Sequence, residues 1–342
     1  MKFDANLAPE TRRLGAAAPI ARAAEELGFD GLWTVETQHN AFLPLALAAE
    51  HTRRIDLGTA VAIAFPRSPM VTAQIAWDLQ ALSGGRFILG LGTQVRAHIE
   101  RRYATAWDSP VKRLRDYIGA LRAVWQCWQT GGRLRYQGDY YQLTLMTPFF
   151  NPGPIDHPDI PIYIAGVNEG LARLAGELCE GFHVHPFHSV RYLQEVVRPQ
   201  IAAGAARAGR DPAAVALVSS VFVITGADAH AMDDMRAAVR RQIAFYASTP
   251  TYRVVLETHG WGAAGEELSR LAAAQRWAEM GALISDEMLG VYAVEAPLDR
   301  LGAALRERYH GVLDRISIYL PFEPGRMDDA WRALIAAAHG AA

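Results

Sequence analysis

Three hundred and forty-two residues with 51% hydrophobic and 20% charged side chains carry ample apolar material for a core, and this excludes a disordered or collagen-like chain. Lys and Arg number 34 against 36 Asp and Glu, so a net charge of −2 supplies no general cationic field for nucleic acid or an anionic membrane surface. Cys127 and Cys179 are the only cysteines and lack CxxC spacing, which removes a disulfide framework and a zinc ribbon.

The first residues, Met1-Lys2-Phe3-Asp4, show no basic segment followed by an apolar stretch, and no run approaches the roughly 18 apolar residues that span a bilayer. The expectation is a cytoplasmic protein acting on a small-molecule substrate. Short apolar runs then alternate with amphipathic helical segments. Lys2–Asn6 reads as a strand, Thr11–Leu27 as a helix closed by Gly28-Phe29-Asp30-Gly31, and Leu32–Glu36 as the next strand. A helix over Phe42–Thr52, a strand over Ile55–Ala64 and a helix over Val71–Leu82 follow, then the break Ser83-Gly84-Gly85, a strand over Phe87–Gly92 and a helix over Val111–Gln129.

Four more strands are expected at Ile162–Ala165, Phe182–His185, Val215–Thr225 and Arg315–Leu320, with helices over Gly170–Cys179, Val190–Arg207, Ala229–Tyr246 and Met327–Ala338. Eight strands in this rhythm predict an α/β fold, a (β/α)8 TIM barrel forming one domain over residues 1–342. A doubly wound open sheet competes, but it needs a glycine fingerprint after its first strand, and Asn6 to Arg12 contains no glycine. Segments 131–161 and 248–297 exceed ordinary connections and read as insertions at the C-terminal face. The first contains a hairpin over Leu134–Leu143; the second contains a helix over Leu268–Met280, and Trp261 in a loop able to close a pocket.

In a barrel of this kind the reacting groups follow the strands. The residues in those places are Glu36-Thr37-Gln38-His39-Asn40, Phe65-Pro66-Arg67-Ser68, Gly92-Thr93-Gln94, Gly166-Val167-Asn168 and His183-Val184-His185-Pro186. His183 and His185 point the same way from a strand, with His188 and His39 as further partners for a metal, yet no acidic residue stands at ligand spacing and no metal is expected. The competing reading has one histidine bonding a ligand while another packs. Gly-x-Ser-x-Gly, Ser-x-x-Lys and His-Glu-x-x-His are missing, so nucleophilic catalysis has no support. Gly90-Leu91-Gly92-Thr93-Gln94-Val95 begins like a dinucleotide fingerprint; the alternative is close backbone approach at a barrel rim.

At these residues the chain resembles the bacterial-luciferase-like oxidoreductases, which include flavin-dependent monooxygenases and coenzyme F420-dependent dehydrogenases and reductases. The resemblance is carried by Ala24-Glu25-Glu26-Leu27-Gly28-Phe29-Asp30-Gly31-Leu32-Trp33 leading into Glu36, by Ile55-Asp56-Leu57-Gly58-Thr59-Ala60-Val61, and by Leu82-Ser83-Gly84-Gly85-Arg86-Phe87. Tyr136-Gln137-Gly138-Asp139-Tyr140-Tyr141 and Ile164-Ala165-Gly166 add to it. It implies a non-prolyl cis peptide between Ala60 and Val61, and a cofactor site formed by Thr59, Ala60, Val61, Gly92, Thr93, Gln94, Ala165, Gly166, Val167, Asn168, His183 and His185.

Thr93-Gln94-Val95, Ile99-Glu100-Arg101-Arg102 and the helix from Arg191 to Gly209 are most similar to the deazaflavin subgroup, so F420 is the implied cofactor and FMN the alternative. Helix N-termini after Gly166 and amides near Thr93 are suited to its phosphate. Two positions depart from the family. Glu36 is followed by Thr37, with His39 two places beyond it, where relatives pair an acid directly with histidine. Val95 occupies a place that several F420-dependent dehydrogenases give to glutamate, so their sugar-phosphate or alcohol oxidation does not carry over. Three functions follow. The first is hydride transfer between the deazaflavin and a small organic substrate, with His39 exchanging the proton and Glu36 orienting it, contacting the cofactor or serving as a buried acid. The second is an FMN monooxygenase supplied by a separate reductase. The third is a barrel that binds a ligand without turnover. Relatives imply a homodimer through the Ala-rich helices Phe42–Thr52 and Val71–Leu82.

Overall fold

The computed structural model describes residues 1–7 and 13–340. Its strands are β1 (Lys2–Asn6), β2 (Gly31–Thr34), β3 (Asp56–Thr59), β4 (Phe87–Gly92), β5 (Ile162–Gly166), β6 (Gly181–Val184), β7 (Ala216–Ile224) and β8 (Arg315–Ile318). Each pairs in parallel with the next, and β8 returns to β1 through Lys2↔Arg315 and Phe3↔Ile316, so the sheet closes as the β/α rhythm predicts. The fold is a closed (β/α)8 barrel.

Around it run α1 (Ala17–Leu27), α2 (Leu43–His51), α3 (Pro69–Ser83), α4 (Pro110–Thr130), α5 (Glu169–Leu178), α6 (Arg198–Ala208), α7 (Leu298–Tyr309) and α8 (Asp328–His339). Local chemistry sets their ends. Ser68 accepts from the Val71 amide at 3.2 Å at the start of α3, Pro69 fits its first turn, and Gly84 closes it in the left-handed region at φ +62°. The expected start of the first helix at Thr11 lies outside the described residues; α1 itself follows a short 3-10 turn at Leu14–Ala16.

The structure departs from the expected elements where backbone chemistry intervenes. The run Ile55–Ala64 divides after Thr59, because the Ala60–Val61 peptide is cis, as the resemblance implies, and Ala62–Ile63 then pairs separately with β4. Strand β2 stops at Thr34, whose hydroxyl donates to the Ala41 carbonyl at 2.7 Å, so Glu36 stands beyond the ladder. The helical stretch Val190–Arg207 contains a π turn at Leu193–Val197 before α6, just where Pro199 removes an amide from the helical ladder. The segment Leu268–Met280 becomes two helices, Gly262–Ala273 and Trp277–Met280, separated by Gln275 at φ +58°. The helix Ala229–Ala247 packs on the helices of the long segment after it, while α7, unread in the sequence, completes the ring against α8. The hairpin is present as Tyr136–Gln137 paired with Gln142–Leu143. Cys127 and Cys179 are buried, unpaired thiols.

Outward faces of the strands meet the helices in the main core, which includes Phe3, Leu32, Leu57, Leu89, Ile164, Phe182, Leu217 and Ile316. A second, smaller cluster of Trp33, Ile88, Tyr163 and Val218 fills the barrel axis. No helix among the described residues is long and apolar enough to cross a membrane.

Candidate active site

Alternation along the strands sorts the axial residues into layers. At the N-terminal end, Arg315 donates to Asp4 through Nε and Nη2 at 2.8 and 2.9 Å and to Asp56 through Nη1 at 2.7 Å. Trp33 adds an Nε1 bond to Asp4 at 2.7 Å. Three charges and an indole plug that end, and the Gly31 backbone leaves room for them: a Cβ there would stand 2.4 Å from Arg315 Nη2. Above the plug lie Trp33, Ile88, Tyr163 and Val218, so the axis is filled and only the C-terminal mouth remains for a ligand.

The floor of that mouth is made of small residues. Gly90 approaches β3 so closely that a Cβ would be 1.7 Å from the Thr59 carbonyl oxygen, and at Gly92 it would be 2.5 Å from Val61 Cγ2. Thr59 fastens this contact, donating to the Gly90 carbonyl at 2.6 Å and accepting from the Gly90 amide at 2.9 Å. Thr59 is therefore fully buried and its hydroxyl is spent, so of the expected cofactor residues it does not line the mouth. The glycines serve strand-to-strand approach, which is the alternative to a nucleotide fingerprint. Ala60, Val61, Ala165, Gly166 and Val167 are half-buried and form a shelf bare of long polar side chains. Gly92 and Thr93 are buried behind it, and Gln94 leaves β4 at φ +58° with its side chain accepting from the Val95 amide at 3.0 Å. Asn168 is exposed, makes no side-chain cap on α5, and leaves that helix start open beside the mouth.

His183 lies between this shelf and the axial cluster, its ring edge-on to Trp33 at 4.9 Å and near Tyr163 at 5.5 Å. Its Nε2 is buried without a hydrogen-bond partner. Burial, reinforced by the Arg315 charge, lowers its pKa to about 3, so the imidazole is neutral. His185 is likewise pushed down to about 3 by burial and then by His188. The Phe187 amide donates to His185 Nδ1 at 3.1 Å, which places the proton of the neutral ring on Nε2. His188 does not join them: its Nδ1 faces the His185 carbonyl at 3.0 Å and it packs near Tyr309 outside the barrel, with burial lowering it to about 4. Among the described residues no cluster of three metal-ligating side chains forms.

Glu36 and His39, paired in the sequence reading, occupy different environments. The Glu36 carboxylate is gripped by both terminal nitrogens of Arg67, one at 2.8 Å, and accepts from the Ile63 amide at 2.7 Å. Only 7% of its side chain is exposed, and its bonds fix the segment from Ile63 to Arg67. His39 is exposed on the loop after β2. That loop is held by Arg102 donating to the Thr37 carbonyl and by Asn40, whose side chain accepts from the Phe42 amide at 2.8 Å. Trp261 does not close the mouth; it stacks on His259 at 4.9 Å and packs against Tyr292.

Sequence reading missed the opposite wall. Phe222 and Tyr319 continue the inward series of β7 and β8 past Ser220 and Ser317, and His185 continues that of β6 past His183. Tyr246 and Tyr252 lean in from the segment between β7 and α7, with His185 at 4.4 Å from each ring. Beneath them Asn6 Nδ2 reaches Ser220 Oγ at 3.1 Å and Ser317 Oγ at 3.0 Å. Only the inward phase of β7 and β8 hinted at this wall, since Tyr246 and Tyr319 are 73 positions apart.

The closed barrel with a small-residue shelf at its mouth sets the architecture, and comparison with known proteins gives the family. The profile of the luciferase-like monooxygenase family matches residues 1–315, and the chain belongs to that family. It is 48% identical over 316 residues, 92% of each chain, to an uncharacterized protein of Mycobacterium tuberculosis. It is 30% identical over 295 residues, 85% of each chain, to a 5,10-methylenetetrahydromethanopterin reductase of Methanolobus tindarius. Among solved structures, the coenzyme F420-dependent tetrahydromethanopterin reductase of Methanopyrus kandleri superposes with a TM-score of 0.77 at 22% identity, covering 98% of this chain and 97% of that one.

Proposed function

We propose that the protein is an F420-dependent oxidoreductase that transfers a hydride between the deazaflavin and a small organic substrate. The observation that carries this reading is the shelf of Ala60, Val61, Ala165 and Gly166 above a buried, neutral and unpartnered His183, a flat place with one polar atom left for a ring. The F420-dependent structural neighbour and a 30% identical putative coenzyme F420-dependent oxidoreductase of Mycobacterium tuberculosis support the choice of cofactor.

When bound, the deazaflavin supplies the two-electron hydride chemistry. The chain's own residues do the rest. Ala60, Val61, Ala165 and Gly166 present a surface against which a planar ring can lie, and His183 offers it a hydrogen bond. The amides at the start of α5 and near Thr93 and Gln94 are suited to a phosphate. The Glu36–Arg67 pair holds the Val61–Arg67 segment in place, and His39 exchanges a proton with solvent at the rim. The protein acts as a homodimer in this reading, supported by Leu43, Val71 and Leu82, apolar side chains of α2 and α3 left 55%, 46% and 50% exposed.

Titration of the purified protein with F420 and, separately, with FMN tests the reading. Saturable quenching of F420 fluorescence in the micromolar range, with no FMN binding, is expected. FMN binding without F420 binding overturns it in favour of the monooxygenase alternative.

A further inference from the structure

The wall formed by His185, Phe222, Tyr246, Tyr252 and Tyr319 has a chemistry of its own. It is continuous: Phe222 meets the Tyr319 ring at 5.1 Å, His185 stacks on Tyr252 at 4.4 Å, and Tyr246 lies 6.2 Å from Tyr252. It is also uncharged. Charged side chains of the neighbouring elements pair away from it, Arg240 with Asp286, Arg236 with Glu295 and Asp233, Glu36 with Arg67, and Arg253, beside Tyr252, with Glu266 at 3.6 Å. An anion seated there would be desolvated against aromatic rings with no cation to meet it.

One polar device stands in the wall. The Tyr246 and Tyr319 hydroxyl oxygens are 2.5 Å apart. Two hydroxyls bring two protons and their mutual bond uses one. Either hydroxyl can donate to the other, so the pair keeps one proton beyond the bond it shares. Tyr319 is 38% exposed at the mouth, where a ligand can reach it. Burial, followed by the bond to Tyr319, holds the Tyr246 hydroxyl far above the usual phenol range, so Tyr246 stays protonated.

We propose that the substrate is a neutral, largely apolar molecule bearing a carbonyl or hydroxyl oxygen, seated against this aromatic wall and hydrogen-bonded through that oxygen by the Tyr246–Tyr319 pair. The proposal rests on the reading of the mouth as the hydride-transfer site. Tyr319 is the group that touches substrate; Tyr246 is a positioning residue bonded to its hydroxyl. A phosphorylated or carboxylated substrate is disfavoured by the same wall.

Ligand-observed saturation-transfer NMR on the protein without cofactor tests this with two probes, cyclohexanone and cyclohexanecarboxylate. Cyclohexanone is expected to saturate at least tenfold more tightly than the carboxylate. A neutral hydrogen bond contributes about 1 kcal/mol, so Tyr319→Phe is expected to weaken cyclohexanone about fivefold. Tyr246→Phe, which leaves Tyr319 free to turn, weakens it by less. Both variants keep the F420 titration of the parent protein, which also shows that they are folded. Cyclohexanone bound no better than the carboxylate, or equally by the parent and Tyr319→Phe, overturns the proposal. Failure of F420 to bind while the probe preference and its Tyr319 dependence persist overturns the cofactor reading and leaves the wall's assignment standing.

Discussion

Replacing His183 with leucine is expected to make the protein more stable and the cofactor site worse. His183 Nε2 is buried without a partner, and leaving such a group unsatisfied costs about 1–3 kcal/mol, so its removal offsets the imperfect fit of leucine at pH 7. The larger effect appears in acid. Burial lowers the folded-state pKa of His183 to about 3, while the unfolded chain takes up this proton near 6.5. The unfolded state binds more protons between those values. The contribution is therefore fully present above pH 6.5 and is lost progressively as pH falls toward 3. At pH 5 the deficit is about 2 kcal/mol for this one residue. Urea unfolding at pH 7 and pH 5 is the assay. The advantage of His183→Leu over the parent is expected to grow by about 2 kcal/mol between the two, and F420 affinity is expected to fall about fivefold for one lost hydrogen bond. Parallel pH profiles for the two proteins would refute the buried, neutral imidazole on which the site is built.

Other substitutions probe the plug, the floor and the rim. Arg315→Met strands Asp4, whose side chain has no exposure, and is expected to cost about 3–5 kcal/mol in chemical denaturation; adding Asp4→Leu returns part of that loss. Gly90→Ala drives a methyl into the Thr59 carbonyl, where backbone must yield, so a loss of about 1–3 kcal/mol or more is expected together with weakened F420 binding. His39→Ala is expected to slow turnover about 100-fold with F420 affinity unchanged, measured by steady-state rates and fluorescence titration. An unchanged rate removes His39 from proton exchange.

The barrel was legible because short, mostly apolar strand runs closed by glycine or polar residues alternate with helical segments. What the sequence hid is backbone and tertiary detail. The Ile55–Ala64 run has only Asp56 and Thr59 as polar residues, so no periodicity marks where it breaks after Thr59; only the resemblance pointed to Ala60–Val61. Gly90 and Gly92 read equally well as a nucleotide loop, and the Thr59 hydroxyl that explains them sits 31 positions from Gly90. The role of Glu36 depended on Arg67, which sequence spacing does not pair with it. Helix α7 escaped notice because it starts at Leu298, immediately after the long segment 248–297 and before β8. The aromatic wall was least accessible, because its members come from β6, β7, β8 and the intervening segment and converge only once the barrel closes.

A crystal structure of the protein with F420 tests the central claim most directly. The account predicts the deazaflavin ring lying against Ala60–Val61 and Ala165–Gly166, within hydrogen-bonding distance of His183, its free face turned to Tyr319 and His185. A ring bound elsewhere on the barrel, or a mouth that stays closed to it at saturating concentration, contradicts the account.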